Sequence, residues 1–276
     1  MSTLDMKLAQ YFLQEEPRGA ARRLEMQEPK VAAEVLKTLT IEAAVNVLKA
    51  MHPRSAAEAL MTLPDVTVAK WLEKIKLADI AAIFRHLSDT DFTRLLDLLS
   101  VKKQTLCRML VSYPDYTVGA WVETDVFVLD DKMKVDEALL RLRKRHFAGI
   151  INIYVVNQQR QVVGQVSLYD LLRKAKSQSI AEIMDTKIQY LSGYTGLFSA
   201  SKSSVWSEQD HVAVINRHRE FIGALQHHRL RSALGRIEDF EHKPLESADL
   251  FDAYVSSFTS MMDVLIPSTD PQEGNQ

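Results

Sequence analysis

The side chains that could do chemistry are few and scattered. The histidines His211, His218, His227 and His228 suggest a transition-metal site. Because adjacent residues on a helix point about 100° apart, the last two cannot converge on one ion unaided. The single cysteine, Cys107, excludes an intramolecular disulfide framework and a clustered-cysteine zinc site. No Ser–His–Asp spacing, P-loop or glycine-rich fingerprint is present, so we expect that the protein is not an enzyme.

Composition and charge place the chain among ordinary globular proteins. It has 276 residues, of which 46% are hydrophobic and 25% charged, enough for two domains. Stretches without charge reach about 14 residues, short of the ~18 that a membrane span needs. Asp5 and Lys7 stand where a signal peptide would be apolar. The net negative charge is concentrated in residues 235–276, and the rest of the chain is only slightly basic. We therefore expect a cytoplasmic protein with no membrane span and no nucleic-acid partner.

A 12-residue apolar period runs through the first third of the chain. Within each unit the apolar positions lie at i, i+3, i+4 and i+7, the stripe of an amphipathic helix. Helix-starting residues such as Thr40, Pro53 and Ser88 separate the stripes. Helices of about 8–9 residues are too short to be stable alone, so the pattern predicts a solenoid of short stacked helices. One register of this period reads Leu36, Leu48, Leu60, Leu72, Phe84 and Leu96.

The middle of the chain changes period after Tyr113 and shows an internal duplication. β-branched runs and turn residues predict two copies of the order β-α-β-β-α, each of roughly 55 residues. For the first copy we expect strands at 126–129, 150–156 and 162–166, with helices from 135 to about 147 and from 167 to 174. For the second copy we expect strands at 188–191, 212–215 and 221–225, with helices at 180–184, 198–206 and 227–234.

These patterns resemble known families. The duplicated unit resembles a tandem pair of CBS domains, the Bateman module, through residues 154–156, 162–171 and 181–185. The solenoid and the joint at 113–122 resemble the N-terminal intracellular domain of MgtE magnesium channels, although only Gly119 of the joint's double glycine aligns. The resemblance leaves out the family's transmembrane pore, so we expect no transport by this chain alone.

The CBS resemblance implies adenine-nucleotide binding in a cleft between the two copies. The motif is Gly-x-x-Ser/Thr-x-x-Asp, whose hydroxyl contacts phosphate near a helix start and whose carboxylate accepts hydrogen bonds from ribose hydroxyls. At the second-copy acid position stands Arg229, which has no acceptor and which we expect to tolerate truncation. At most one copy therefore binds AMP or ATP. The alternative is that the first-copy motif only caps a helix. The aligned residues are Gly164, Ser167 and Asp170 in the first copy and Gly223, Gln226 and Arg229 in the second.

The MgtE resemblance implies magnesium sensing, in which acidic residues of the solenoid face acidic residues of the CBS pair. Asp89 and Asp91 are the candidate metal ligands, because carboxylate oxygens suit Mg²⁺. The alternative is that they only start a helix on a solvated face. The family often has an acidic pair where this chain has His228 and Arg229, and a cation there opposes magnesium. We therefore expect little Mg²⁺-dependent compaction.

The resulting expectation is an α plus α+β fold. It comprises a solenoid at 1–112, a first CBS domain at 113–177, a second at 178–235, and an acidic tail at 236–276 with an amphipathic helix. The expected function is that of a soluble cytoplasmic regulatory or sensor protein that binds Mg²⁺ or an adenine nucleotide. We expect a homodimer through the CBS pair, and a protein partner on the solenoid or the tail helix. The alternative is a dimeric scaffold whose ligand sites have decayed.

Overall fold

The computed structural model of the protein describes residues 15–144 and 152–238. These residues fall into two compact units, 15–74 and 75–238. Within them, no helix combines the length and the apolar character needed to cross a membrane. The tail helix expected in 236–276 lies outside the described residues, apart from the helix end at Glu238.

The first unit consists of five short helices joined by tight turns. Each has 8–10 residues, as the 12-residue period predicts. Helices two apart in sequence pack on each other, α1 on α3, α2 on α4 and α3 on α5. The helices are α1 (Pro17–Leu24), α2 (Pro29–Lys37), α3 (Ile41–Ala50), α4 (Pro53–Met61) and α5 (Asp65–Lys74).

The turn residues and the apolar stripe explain this architecture. Proline opens α1, α2 and α4, where its missing N–H costs nothing, and Thr40 caps α3 by accepting a hydrogen bond from the Ala43 N–H. One leucine of each repeat is completely buried, so the stacked helices share a continuous core. These leucines are Leu24, Leu36, Leu48, Leu60 and Leu72.

The second unit begins with three more helices of the same kind, α6 (Leu77–Phe84), α7 (Asp89–Asp97) and α8 (Val101–Val111). Cys107 lies buried in α8, where burial raises the pKa of its thiol to about 12, in keeping with an inert core residue.

The joint that follows α8 is held by a guanidinium. Arg85 donates hydrogen bonds to the carbonyls of Leu110 at 2.6 Å and Tyr113 at 3.3 Å, and burial lowers its pKa to about 10. Gly119 lies against the ring of Tyr113, where an added Cβ would sit 2.4 Å from the nearest ring carbon. This close approach explains the glycine in the joint.

Two three-stranded sheets complete the second unit. In each, the first strand pairs parallel with the second, and the second pairs antiparallel with the third. The register shifts at matching places, after Val155 and after Val214. The duplication predicted from sequence is confirmed. The strands are β1 (Val128–Asp130), β2 (Asn152–Val156), β3 (Val162–Ser167), β4 (Tyr190–Ser192), β5 (His211–Ile215) and β6 (Phe221–Gln226).

The helices of the two copies flank these sheets. They are α9 (Val135–Arg143), α10 (Leu168–Arg173), α11 (Ile180–Ile183), α12 (Leu197–Ser201) and α13 (His227–Glu238). The single helix expected at 198–206 is wrong. Ser203 caps a separate 3₁₀ turn, Ser204–Ser207, and Trp206 donates its indole N–H to the Ala200 carbonyl at 2.7 Å. Strands β1 and β4 each start two residues later than expected.

Candidate functional site

The first-copy motif lies at the end of β3 and the start of α10. Ser167 is the N-cap of α10, and its hydroxyl accepts a hydrogen bond from the Asp170 N–H at 3.0 Å. The same hydroxyl donates to the Asp170 Oδ2 at 2.6 Å. The structure therefore brings these two predicted residues together. The other carboxylate oxygen, Oδ1, has no hydrogen bond within the described parts of the chain.

Gly164, the first residue of the motif, allows another segment of main chain to approach closely. The segment after α11 pairs with β3 through Gln165 and Asp185, whose main chains exchange hydrogen bonds of 2.9 and 2.8 Å. A Cβ on Gly164 would come within 2.8 Å of both the Asp185 carbonyl oxygen and the Met184 sulfur. The glycine therefore has a structural reason that is independent of any ligand.

Gln165 faces the second copy and has an unsatisfied side-chain oxygen. It lies opposite Tyr154 on β2, and Tyr154 packs with Ala213 and Phe221 of the second copy. The Gln165 Oε1 is buried and accepts no hydrogen bond from the described residues. A buried acceptor without a partner costs free energy that a ligand donor or a water would recover.

The second-copy motif is built differently. Gly223 admits the main chain of Glu123, whose carbonyl would lie 2.4 Å from an added Cβ, just as Gly164 admits Asp185. At the acid position, Arg229 donates from Nη2 to the Asp79 Oδ1 of α6 at 3.1 Å. Both side chains are only 11% exposed. This buried pair argues against the expectation that Arg229 tolerates truncation, because its loss would leave a buried carboxylate unpaired.

A second ion pair lies at the start of helix α6. Lys76, the N-cap residue of α6, lies 3.1 Å from the Glu123 carboxylate. Glu123 is in turn fixed to β6 by two main-chain hydrogen bonds with Ala224. The neighbouring His228 has a lowered pKa, because desolvation and then the charges of Arg229, Lys76 and His211 disfavour its cation, while Glu123 opposes them.

The candidate magnesium ligands cap a helix. Ser88 is the N-cap of α7, and its hydroxyl donates to the Asp91 Oδ2 at 2.6 Å while accepting from the Asp91 N–H. Asp89 stands in the same first turn. Across residues 15–144 and 152–238, no three His, Cys, Asp or Glu side chains converge as metal ligands would. Asp89 and Asp91 as magnesium ligands therefore remain a sequence prediction.

One small cleft lies where the turns of the two hairpins meet. Its volume is about 140 Å³, and its lining includes Val163, Tyr190 and Arg219. Ligand pockets usually measure about 300–1,000 Å³, and none of the motif residues lines this cleft. It therefore does not coincide with the site that the sequence predicts.

Sequence reasoning missed the partners of Arg229 and Lys76. A signal existed for one of them, because Asp79 is the single polar residue among the apolar residues of α6. An acid in so apolar a helix needs a partner, since an unpaired charge is rarely buried. Glu123 carried no comparable signal.

Comparisons with known proteins match this architecture. The family model of the MgtE intracellular N domain matches residues 15–116, and that of the CBS domain matches 118–177. The magnesium transporter MgtE of Thermus thermophilus is 31% identical over 117 residues, which cover 42% of this chain and 26% of that protein. The chain thus spans about a quarter of the length of this curated relative.

Two solved structures share the fold. The cytosolic domain of the Mg²⁺ channel MgtE, crystallised with ATP, matches with a TM-score of 0.67 at 24% identity, covering 82% of this chain and 94% of that one. The soluble part of a magnesium transporter matches with a TM-score of 0.57 at 17% identity, covering 86% and 98%. The chain therefore carries an MgtE intracellular N domain at residues 15–116 and a CBS domain at residues 118–177, and it is similar to MgtE over 117 residues.

Proposed function

We propose that this chain is a non-catalytic regulatory module that binds one adenine nucleotide at the first-copy motif and passes the change to a partner protein. The observation that carries the proposal is the buried Gln165 oxygen without a partner on β3, together with the Asp170 carboxylate, of which Ser167 engages one oxygen. Asp170 keeps one carboxylate oxygen without a hydrogen bond, and Gln165 keeps a buried oxygen without one, in each case among the described residues.

The chemistry of these acceptors fits a nucleoside. A carboxylate accepts hydrogen bonds from vicinal ribose hydroxyls, and an amide oxygen accepts from a hydroxyl or an amino group. The second copy offers no such pair, because Arg229 takes the acid position and is engaged by Asp79. A related MgtE cytosolic domain crystallised with ATP supports the choice of ligand class.

The test compares two aspartates in the same local geometry. Asp170 and Asp91 both lie three residues after a capping serine whose hydroxyl reaches Oδ2 at 2.6 Å. Asp170→Asn should weaken AMP or ATP binding at least tenfold in calorimetry, because a hydrogen bond to a charged acceptor is worth about 1.5–3 kcal/mol. Asp91→Asn should change stability similarly and nucleotide affinity not at all.

The competing candidate is a scaffold without a ligand. It is supported by the close likeness between the Ser167–Asp170 and Ser88–Asp91 caps, because such a pair satisfies a helix start without a ligand. Equal nucleotide affinity in wild type and Asp170→Asn, or no affinity in either, would favour the scaffold.

We further propose that the module forms a homodimer through helices of the CBS pair and acts in the cytoplasm. Large apolar side chains are exposed on α9 and α10, with Leu172 at 66% and Tyr169 at 63% exposure. Large apolar side chains left this exposed favour an interaction surface on these helices. Leu172→Asp should shift the mass in light scattering from dimer to monomer, whereas Val101→Asp, at a residue 79% exposed on α8, should not. A wild-type monomer at micromolar concentration would contradict the dimer.

A further inference from the structure

Helix α6 buries one charge in an otherwise apolar segment. All residues of α6 other than Asp79 are apolar. Counted over the whole residue, Asp79 is 8% exposed. Burying a carboxylate is costly unless a counter-charge and hydrogen bonds accompany it. The counter-charge here is the Arg229 guanidinium of α13, 3.1 Å away.

This contact links two elements that are far apart in sequence but belong to the same compact unit. The Lys76–Glu123 pair ties the first turn of α6 to the segment that pairs with β6. Two acids thus meet two bases, and the contact is electrically balanced without any added ion.

A divalent cation does not fit this arrangement. Mg²⁺ takes carboxylate oxygens and retains waters. The Asp79 Oδ1 already accepts a hydrogen bond from a guanidinium, whose positive charge at this distance repels a second cation. Nearby, desolvation and then the positive charges of Arg229, Lys76 and His211 lower the pKa of His228.

We propose that Arg229 occupies the role of a divalent cation at this contact, so that α6 is fastened to the second CBS-like copy without metal. Magnesium is then not the signal that opens or closes this contact. The inference does not depend on nucleotide binding at Asp170, and the two can fail separately.

Hydrogen exchange measured by mass spectrometry on the full chain tests the proposal at the helix itself. In wild type, the protection of residues 77–84 should be unchanged between zero and 10 mM Mg²⁺, at ionic strength matched with NaCl. Arg229→Gln should accelerate exchange in α6 at least tenfold with or without Mg²⁺. Arg229→Glu should accelerate it further, and Mg²⁺ but not matched NaCl should restore protection, because two carboxylates then face each other.

The matched control is Arg231→Glu, which makes the same charge change at an exposed position of α13. Its α6 protection should stay at the wild-type level without Mg²⁺. Protection of wild-type α6 that rises with Mg²⁺ would overturn the proposal. Unchanged exchange in Arg229→Gln would show that the pair does not fasten the helix. An Arg229→Glu variant that Mg²⁺ does not restore would show that the arginine does not stand where a divalent cation can act.

Discussion

Truncating Arg229 should destabilise the second unit strongly. Removing one partner of a buried ion pair typically costs about 3–5 kcal/mol, because the remaining charge is left without compensation. The 11% exposure of both side chains places this pair near the buried limit, where solvent screening offsets little of the cost. For a unit of this size the loss corresponds to a fall in Tm of roughly 6–20 °C.

A double-mutant cycle separates the pair from other effects of truncation. The variants are Arg229→Ala, Asp79→Ala and the double variant, and the readout is urea denaturation. Trp71 belongs to the first unit, so a Trp71→Phe background leaves Trp121 and Trp206 to report on the second unit. We expect the double variant to be destabilised clearly less than the sum of the two single variants, since it buries no unpaired charge.

A small and additive loss of stability would contradict a coupled, buried ion pair. If Arg229→Ala costs less than about 1 kcal/mol and the two changes add within about 0.5 kcal/mol, the pair behaves as a surface ion pair. Asp79→Asn supplies an internal check, because it removes the charge while keeping the shape of the side chain.

Two further predictions concern a glycine and a histidine. Gly164→Ala should lower stability by about 1–3 kcal/mol, because its Cβ meets the Asp185 carbonyl, whereas Gly235→Ala, which meets nothing within 4 Å, should be neutral or stabilising in the same thermal unfolding assay. Since the folded-state pKa of His228 lies below its ordinary value, the unfolded chain binds more protons, and stability should fall as pH drops below about 6.5. His228→Gln should flatten the decline in denaturant midpoint between pH 7 and pH 5; an unchanged slope would assign it to other groups.

The repeat and the duplication were predictable because local patterns carry them. A leucine every 12 residues with a capping or proline residue between stripes is enough to specify short stacked helices. The two hairpins likewise repeat their turn: Asn157 and Asn216 each accept two main-chain N–H bonds, and Arg160 and Arg219 each adopt a positive φ near 60°. Such features depend on neighbours in sequence.

The contact between α6 and α13 was not predictable in the same way. Asp79 and Arg229 are 150 positions apart, and the positive charge at 229 by itself indicated only that a ligand acceptor was lost. Which buried acid it meets depends on how the second copy packs against α6. The same holds for Gly164, whose close neighbour Asp185 comes from a different segment of the chain. The sequence motif suggested that this glycine serves a ligand, whereas the packing explains it by the close approach of main chain.

The most direct test of the central claim is the stoichiometry of nucleotide binding by titration calorimetry on the full chain. We expect one AMP or ATP per chain. The first-copy motif binds it, whereas in the second copy Arg229 holds the acid position and pairs with Asp79. Arg229→Ala should not create a second site, because alanine supplies no acceptor. Two nucleotides per wild-type chain, or none, would contradict the account.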